Sequence, residues 1–191
     1  MNTHSVAFPL VVAAAIYFFR VVELRTRRET VRGSIRESFT LKLFVLAGTA
    51  MFVGGLAEFF LRGRQWSWPT LGLGAACALV SFTVRHQAIA ALGKFWSLHV
   101  EIRENHQFVC SGPFRWMRHP TYFTMILELL AGALIFQAWW TALGVALIFI
   151  PALAQRLRIE ESALVEKFGA AYQQYQRTTP ALIPYKWPTA K

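Results

Sequence analysis

The sequence predicts an all-α polytopic membrane protein with about five transmembrane helices, the last two paired as a helical hairpin, and a C-terminal cytosolic amphipathic helix. Three observations carry this expectation. Hydrophobic residues make up 55% of the 191 positions, aromatic residues make up 15%, and mean hydropathy is +0.37. The apolar residues gather into runs long enough to cross a hydrocarbon layer about 30 Å thick. Those runs lack the period-two alternation of barrel strands, and hydrocarbon offers the backbone no hydrogen-bond partners, so helices are the natural solution.

The formal charge of +10 raises the question of nucleic acid. The Lys and Arg residues, however, cluster at the ends of apolar runs, which is the pattern of a cytoplasmic membrane face, and no nucleic-acid partner is expected. Cys77 lies inside an apolar run and Cys110 lies in a polar segment, with no CxxC pair, so neither a disulfide framework nor a metal site is expected.

The first run, Val6 to Val22, is about the minimum length for a span. It begins with almost no positive charge and lacks a small-residue cleavage site, which predicts a retained helix. Arg20, Arg25, Arg27, Arg28, Arg32 and Arg36 follow, so this loop is expected in the cytoplasm and the N-terminus outside. The second run, Leu41 to Leu61, carries Gly48, Gly54 and Gly55, small residues that let helices approach closely in lipid. Trp66 and Trp68 in the connection Arg62 to Pro69 suit the outer interface.

The third run, Thr70 to Ala90, opens with GLGLGA. That string follows no strand and lacks the third glycine of a nucleotide fingerprint, so helix packing is the expected role. Arg85 and His86 mark the return to the cytoplasm. After Gly93 comes the less apolar KFWSLHVEIREN, then a polar island from His106 to Tyr122, HQFVCSGPFRWMRHPTY.

Apolar segments from Thr121 to Phe136 and from Thr141 to Ala154 flank a break at Gln137 to Trp140. Each is short for an independent span, which predicts a tight hairpin whose tip lies at the outer interface. From Ile159 the chain turns amphipathic, with Leu164, Phe168, Ala171, Tyr172 and Tyr175 at helical spacing, predicting a cytosolic helix that ends before Pro180 and Pro184. The tail ALIPYKWP reads as an interfacial strap. Two regions are expected: a three-helix membrane region, residues 1–90, and a core, residues 91–191.

Because a hairpin returns the chain to its starting depth, His119 and Glu160 are expected to be neighbours. Pro120 fixes φ at a helix start and disfavours the α region before it, which holds His119 at the N-cap. The first-turn amides beside Arg115 and Arg118 form an expected anion site, although the arginines alone fit ordinary cytoplasmic anchors. Glu160 is expected to hold a ligand's ammonium or hydroxyls, while Glu161 fits a solvated helix start. Glu128, inside the fourth run, must be paired or line a cavity, and is taken as a candidate substrate-pocket residue.

LGKFWSLHVEIRENHQFVCSGPFRWMRHPTY, then RLRIEESALVEKFGAAYQQYQ and a final IP, resembles the catalytic core of the isoprenylcysteine carboxyl methyltransferase family, over Ala91 to Pro184. The resemblance implies an integral membrane enzyme that transfers a methyl group from S-adenosylmethionine, bound from the cytosol, to a lipophilic acceptor entering from the bilayer among membrane lipids. It places the cofactor contacts on His106, Gln107, Phe108, Val109, Phe114, His119, Pro120, Thr121, Tyr122 and Glu160, and assigns Arg156 to the substrate. Phe114 stands where relatives often carry Tyr.

Arg156 and His119 are the expected catalytic residues, and Arg156 with Glu128 the substrate-binding pair. A carboxylate acceptor is ionised at neutral pH and needs no base, whereas a phenol, with a pKa near 10, would need help from His119 or Glu128. N-methylation of a phospholipid amine and, outside the enzymes, a transporter or assembly factor that binds anionic lipid are the competing readings. The site is expected to be complete in a monomer and to face the cytosol from a cytoplasmic membrane.

Overall fold

A computed structural model of the chain describes residues 6–25, 34–37, 39–97, 100–102 and 108–186. Six helices account for most of them: α1 (Ala7–Arg25), α2 (Phe39–Leu61), α3 (Trp68–Leu92), α4 (Pro120–Phe136), α5 (Trp139–Phe168) and α6 (Ala170–Thr178). Short 3-10 turns occupy Gly93–Phe95 and Gly112–Arg115. One feature outside the all-α expectation is a short antiparallel pair, β1 (Ser34–Glu37) with β2 (Val100–Ile102), in which Ser34 faces Ile102.

Among the described residues, three helices are long and apolar enough to cross a membrane: Phe39–Leu61, Trp68–Phe95 (α3 with its closing turn) and Trp139–Phe168. At 17 residues α4 is shorter, about 25 Å at 1.5 Å per residue. The long helices expose many apolar side chains, among them Val45, Leu46, Leu79, Leu147 and Ile150, as a lipid-facing surface requires.

The last long helix departs from the sequence expectation of a short fifth segment followed by a separate helix. α5 runs unbroken from Trp139 to Phe168. Its 30 residues span about 45 Å, so the part from about Ile159 onward stands clear of a hydrocarbon layer about 30 Å thick. The stop comes at Gly169, whose φ of 54° lies in the left-handed region that glycine adopts without penalty.

Packing is closest where the small residues sit. α3 lies along α4, and a Cβ at Gly74 would be 2.7 Å from Ile135 Cγ1 and 3.1 Å from the Ala131 carbonyl. α2 lies along α5, with Gly54 against Thr141 and Gly55 against Phe136 and Ala138. Gly48 differs from its expected role, because a Cβ there would meet no atom within 4 Å. The core that results joins Phe44, Met51 and Phe59 of α2 to Ile135 and Phe136 of α4 and Phe149 of α5.

The hairpin tip is fixed by polar contacts. Gln137 adopts the left-handed conformation, and its side chain donates to Thr70 Oγ1 at 3.0 Å while its carbonyl accepts from Arg62 at 2.7 Å. Glu58 of α2 accepts from Thr141 N and Thr141 Oγ1, both at 2.8 Å, and so caps the start of α5, for which Ala138 has no side-chain acceptor. These contacts fix one end of the hairpin; the chemistry-bearing residues collect at the other ends of α4 and α5.

Candidate active site

His119 is the N-cap of α4 and Pro120 its first residue, as the sequence implies. The hairpin brings α5 alongside, and the expected proximity is present: His119 Nδ1 lies 3.7 Å from Glu160 Oε1. The nearer partner is Glu161, which by sequence alone fits a solvated helix start. His119 Nε2 is 2.9 Å from Glu161 Oε1, and Arg118 reaches the same oxygen through Nε at 2.8 Å and through its NH2 nitrogen at 2.7 Å.

The opposite oxygen of Glu161 accepts from Gln176 Nε2 of α6 at 3.0 Å. Arg118 also donates from NH1 to the Gln176 and Thr179 carbonyls, and the backbone amides of Arg118 and His119 donate to Pro180 O and Ala181 O at 2.8 and 3.0 Å. The C-terminal segment is thereby fastened across the start of α4. The anion site expected at this helix start changes character as a result: Arg118 is committed to Glu161 and two carbonyls, the Tyr122 and Phe123 amides turn back to His119 O, and Arg115 is exposed.

One turn into α4, the Tyr122 hydroxyl donates to Glu160 Oε2 and accepts from Arg156 Nε at 2.8 Å. The Tyr122 ring stacks on the His119 imidazole, 18° from parallel. Arg156 is buried, its guanidinium 5.8 Å from the Tyr122 ring and 5.7 Å from the Phe44 ring, and it donates from NH1 to Thr40 Oγ1 of α2 at 3.1 Å. A continuous polar chain therefore runs Arg118–Glu161–His119–Glu160–Tyr122–Arg156–Thr40, from the solvent edge into the helix bundle. Glu160 is its most open carboxylate, with 30% of its side chain exposed.

The charges along this chain sustain one another. Burial by itself disfavours a charged His119, but hydrogen bonds to Glu160 and Glu161 and their negative charge outweigh it and raise its pKa to about 9. Burial likewise opposes ionisation of Glu160 and Glu161, and the His119 contacts hold both below the ordinary carboxylate range.

A pH dependence follows from the His119 shift. A pKa raised in the fold contributes stability that is complete below the unfolded value of about 6.5 and is lost as pH rises through about 9. The melting temperature of detergent-solubilised protein is therefore expected to fall between these limits. His119→Gln should flatten that decline, and an equal decline in the variant would remove the imidazolium from the account.

A second group also borders α6. An open cleft of about 610 Å³ is lined by Ala91, Gly93, Phe95, Phe108, Val109 and Ser111, among others. The Phe108 ring closes one side against Phe168, Tyr172 and Tyr175, with ring centres 5.0 to 5.8 Å apart. Tyr175 donates to the Phe114 carbonyl at 2.6 Å, so Phe114, itself buried, is engaged through its backbone. α6 thus carries aromatic residues toward the cleft and Gln176 toward Glu161. Thr121 and the buried Pro120 lie in the first turn of α4 beside His119.

His106 and Gln107 lie outside the described residues. Glu128 is placed away from Arg156, on a different face of α4. It accepts from Arg85 at 2.8 Å and from Ser81 at 3.1 Å, with Arg20 at 3.6 Å. The charge in the fourth run is accordingly paired, as a carboxylate among bilayer helices requires. Among the described residues, no group of three His, Cys, Asp or Glu side chains is placed to hold a metal ion.

Apolar helices long enough to cross a membrane, with this His–Glu–Tyr–Arg chain at one end of the bundle, fit a membrane-bound enzyme. The model of the isoprenylcysteine carboxyl methyltransferase family matches residues 74–166, which include α4, most of α5 and every member of the chain except Thr40. An uncharacterized protein of Bacillus subtilis, YpbQ, is 34% identical over 115 residues, covering 60% of this chain and 68% of its own length. Protein-S-isoprenylcysteine O-methyltransferase B of Arabidopsis thaliana is 25% identical over 147 residues, 75% of each chain. The Schizosaccharomyces pombe protein-S-isoprenylcysteine O-methyltransferase is 29% identical over 119 residues, 61% of this chain and 50% of its own. The chain belongs to the isoprenylcysteine carboxyl methyltransferase family and is a membrane methyltransferase.

Proposed function

We propose that the protein transfers the methyl group of S-adenosylmethionine to the carboxylate of an isoprenylcysteine-type or related lipid. The observation that carries this reading is the polar chain from the half-open Glu160 through Tyr122 to the buried Arg156, which links a solvent-facing carboxylate to a cation enclosed by bilayer helices. The relatives named as isoprenylcysteine O-methyltransferases support a carboxylate acceptor.

The residues present fit the donor. The cleft is within the size range of small-molecule sites, about 300 to 1,000 Å³, and has aromatic Phe108 on one side. Phe108, Val109, Phe114, His119, Pro120, Thr121, Tyr122 and Glu160 are the proposed donor residues, with His106 and Gln107 completing the set. When bound, S-adenosylmethionine supplies an already electrophilic methyl group.

The chain's own task is positioning. Glu160, kept ionised by His119 and Tyr122, is suited to a cationic amino group. Arg156 is suited to orient an anionic acceptor, and its enclosure between α2, α4 and α5 keeps bulk water from the reacting pair. A carboxylate is ionised at neutral pH, so no base is required.

In this reading α1 to α5 all cross the membrane, with the N-terminus outside and α6 and the site on the cytosolic side of the cytoplasmic membrane. The Arg-rich segment after α1 supports that orientation. The proposal takes the monomer as the functional unit. Two measurements on one preparation test the proposal. Titration of S-adenosylmethionine into purified protein should saturate, and impermeant thiol reagents should find single cysteines at Thr30 and Gln174 on the same, cytosolic side. No saturable binding would refute the donor assignment, and labelling from opposite sides would refute the five-span topology.

A further inference from the structure

α2 lies outside the segment matched by the family model, and its sequence carries no methyltransferase signature. It nevertheless supplies two of the groups that hold Arg156. Thr40 is fully buried, and its hydroxyl accepts from Arg156 NH1 at 3.1 Å across 116 positions of sequence. One turn on, the Phe44 ring lies 5.7 Å from the guanidinium and packs against both Tyr122 and Phe149. The Nε side of the same guanidinium is set by Tyr122. Two edges of a planar cation are therefore fixed from two different helices, and its face lies near an aromatic ring.

The Thr40 bond comes from a different direction than the Tyr122 bond and so constrains the plane of the guanidinium. That plane decides how a carboxylate meets the N–H donors, because the guanidinium fork is rigid. The first helical turn of α2 is also where the chain enters the bundle next to the site, so its placement is coupled to the acceptor side.

We propose that Thr40 is a positioning residue for acceptor methylation, acting through Arg156 with Phe44 as the supporting face. The inference rests on Arg156 being the acceptor-binding group.

The test uses the full-length, detergent-purified protein with labelled S-adenosylmethionine and S-farnesylcysteine as acceptor, and compares Thr40→Val, Thr40→Ser and Arg156→Met. Thr40→Val keeps the side-chain shape and removes the acceptor oxygen. A guanidinium displaced by about 1 Å predicts a fall in kcat of roughly 10- to 100-fold, with donor Kd and melting temperature close to the parent. Thr40→Ser, which restores the hydroxyl, should recover most of the rate.

A Thr40→Val rate equal to the parent, with Arg156→Met inactive, overturns the inference alone. Equal impairment of Thr40→Ser and Thr40→Val, or a loss shared by donor affinity and melting temperature, marks a packing role and also overturns it. An unimpaired Arg156→Met, or a parent protein that forms no product, refutes the Arg156 reading and takes the inference with it.

Discussion

Glu160→Ala is expected to weaken S-adenosylmethionine binding by roughly 10- to 100-fold, the equivalent of one charge-assisted hydrogen bond. Glu160 is the more open carboxylate of the polar chain, and it stands beside both His119 and Tyr122. His119→Ala should weaken binding comparably for a different reason. It removes the imidazolium that Glu160 and Glu161 share, leaving two neighbouring carboxylates that repel each other and, for Glu160, a lost anchor. A calorimetric titration reads both variants. Parent-like affinity in both would withdraw these residues from the donor site.

The second large effect is at Arg156. Arg156→Met is expected to lower methyl transfer by roughly 10²- to 10³-fold, the scale of removing one preorganised electrostatic contact from a reacting centre. Donor affinity should change much less, because the Tyr122 hydroxyl stands between Arg156 and Glu160. Arg156→Lys should recover little, since an ammonium cannot contact Tyr122 and Thr40 along two edges of one plane. Steady-state rates at saturating donor distinguish these outcomes. A Lys variant close to the parent would show that charge alone suffices and that the fork has no role.

Much of the site's placement was legible from local rules. The His119–Pro120 pair announced a helix start, and the hairpin argument then placed Glu160 opposite His119 without any detailed geometry. Small residues at Gly54, Gly55 and Gly74 marked close helix contacts correctly, but Gly48 did not, because composition cannot say which face of a helix meets a neighbour.

Other features were hidden for physical reasons. The change from an apolar to an amphipathic pattern near Ile159 suggested a new helix. The backbone ladder is indifferent to polarity, though, and no glycine or proline interrupts residues 152–168, so α5 continues to Gly169. Glu161 was indistinguishable in sequence from a solvated helix residue, and only the return of α6 and the tail onto Arg118 encloses it. Thr40 gave no signal at all, since a single hydroxyl in an apolar run acquires meaning only from the arginine that another helix delivers to it.

The central claim is chemical, and product analysis addresses it most directly. Purified protein supplied with methyl-labelled S-adenosylmethionine and S-farnesylcysteine should yield a lipid-soluble product that releases labelled methanol in mild base, the signature of a carboxyl methyl ester. Label retained through base treatment would indicate an ether or an amine product, and absence of lipid label would indicate no transfer. Either result would contradict carboxyl methylation at Arg156.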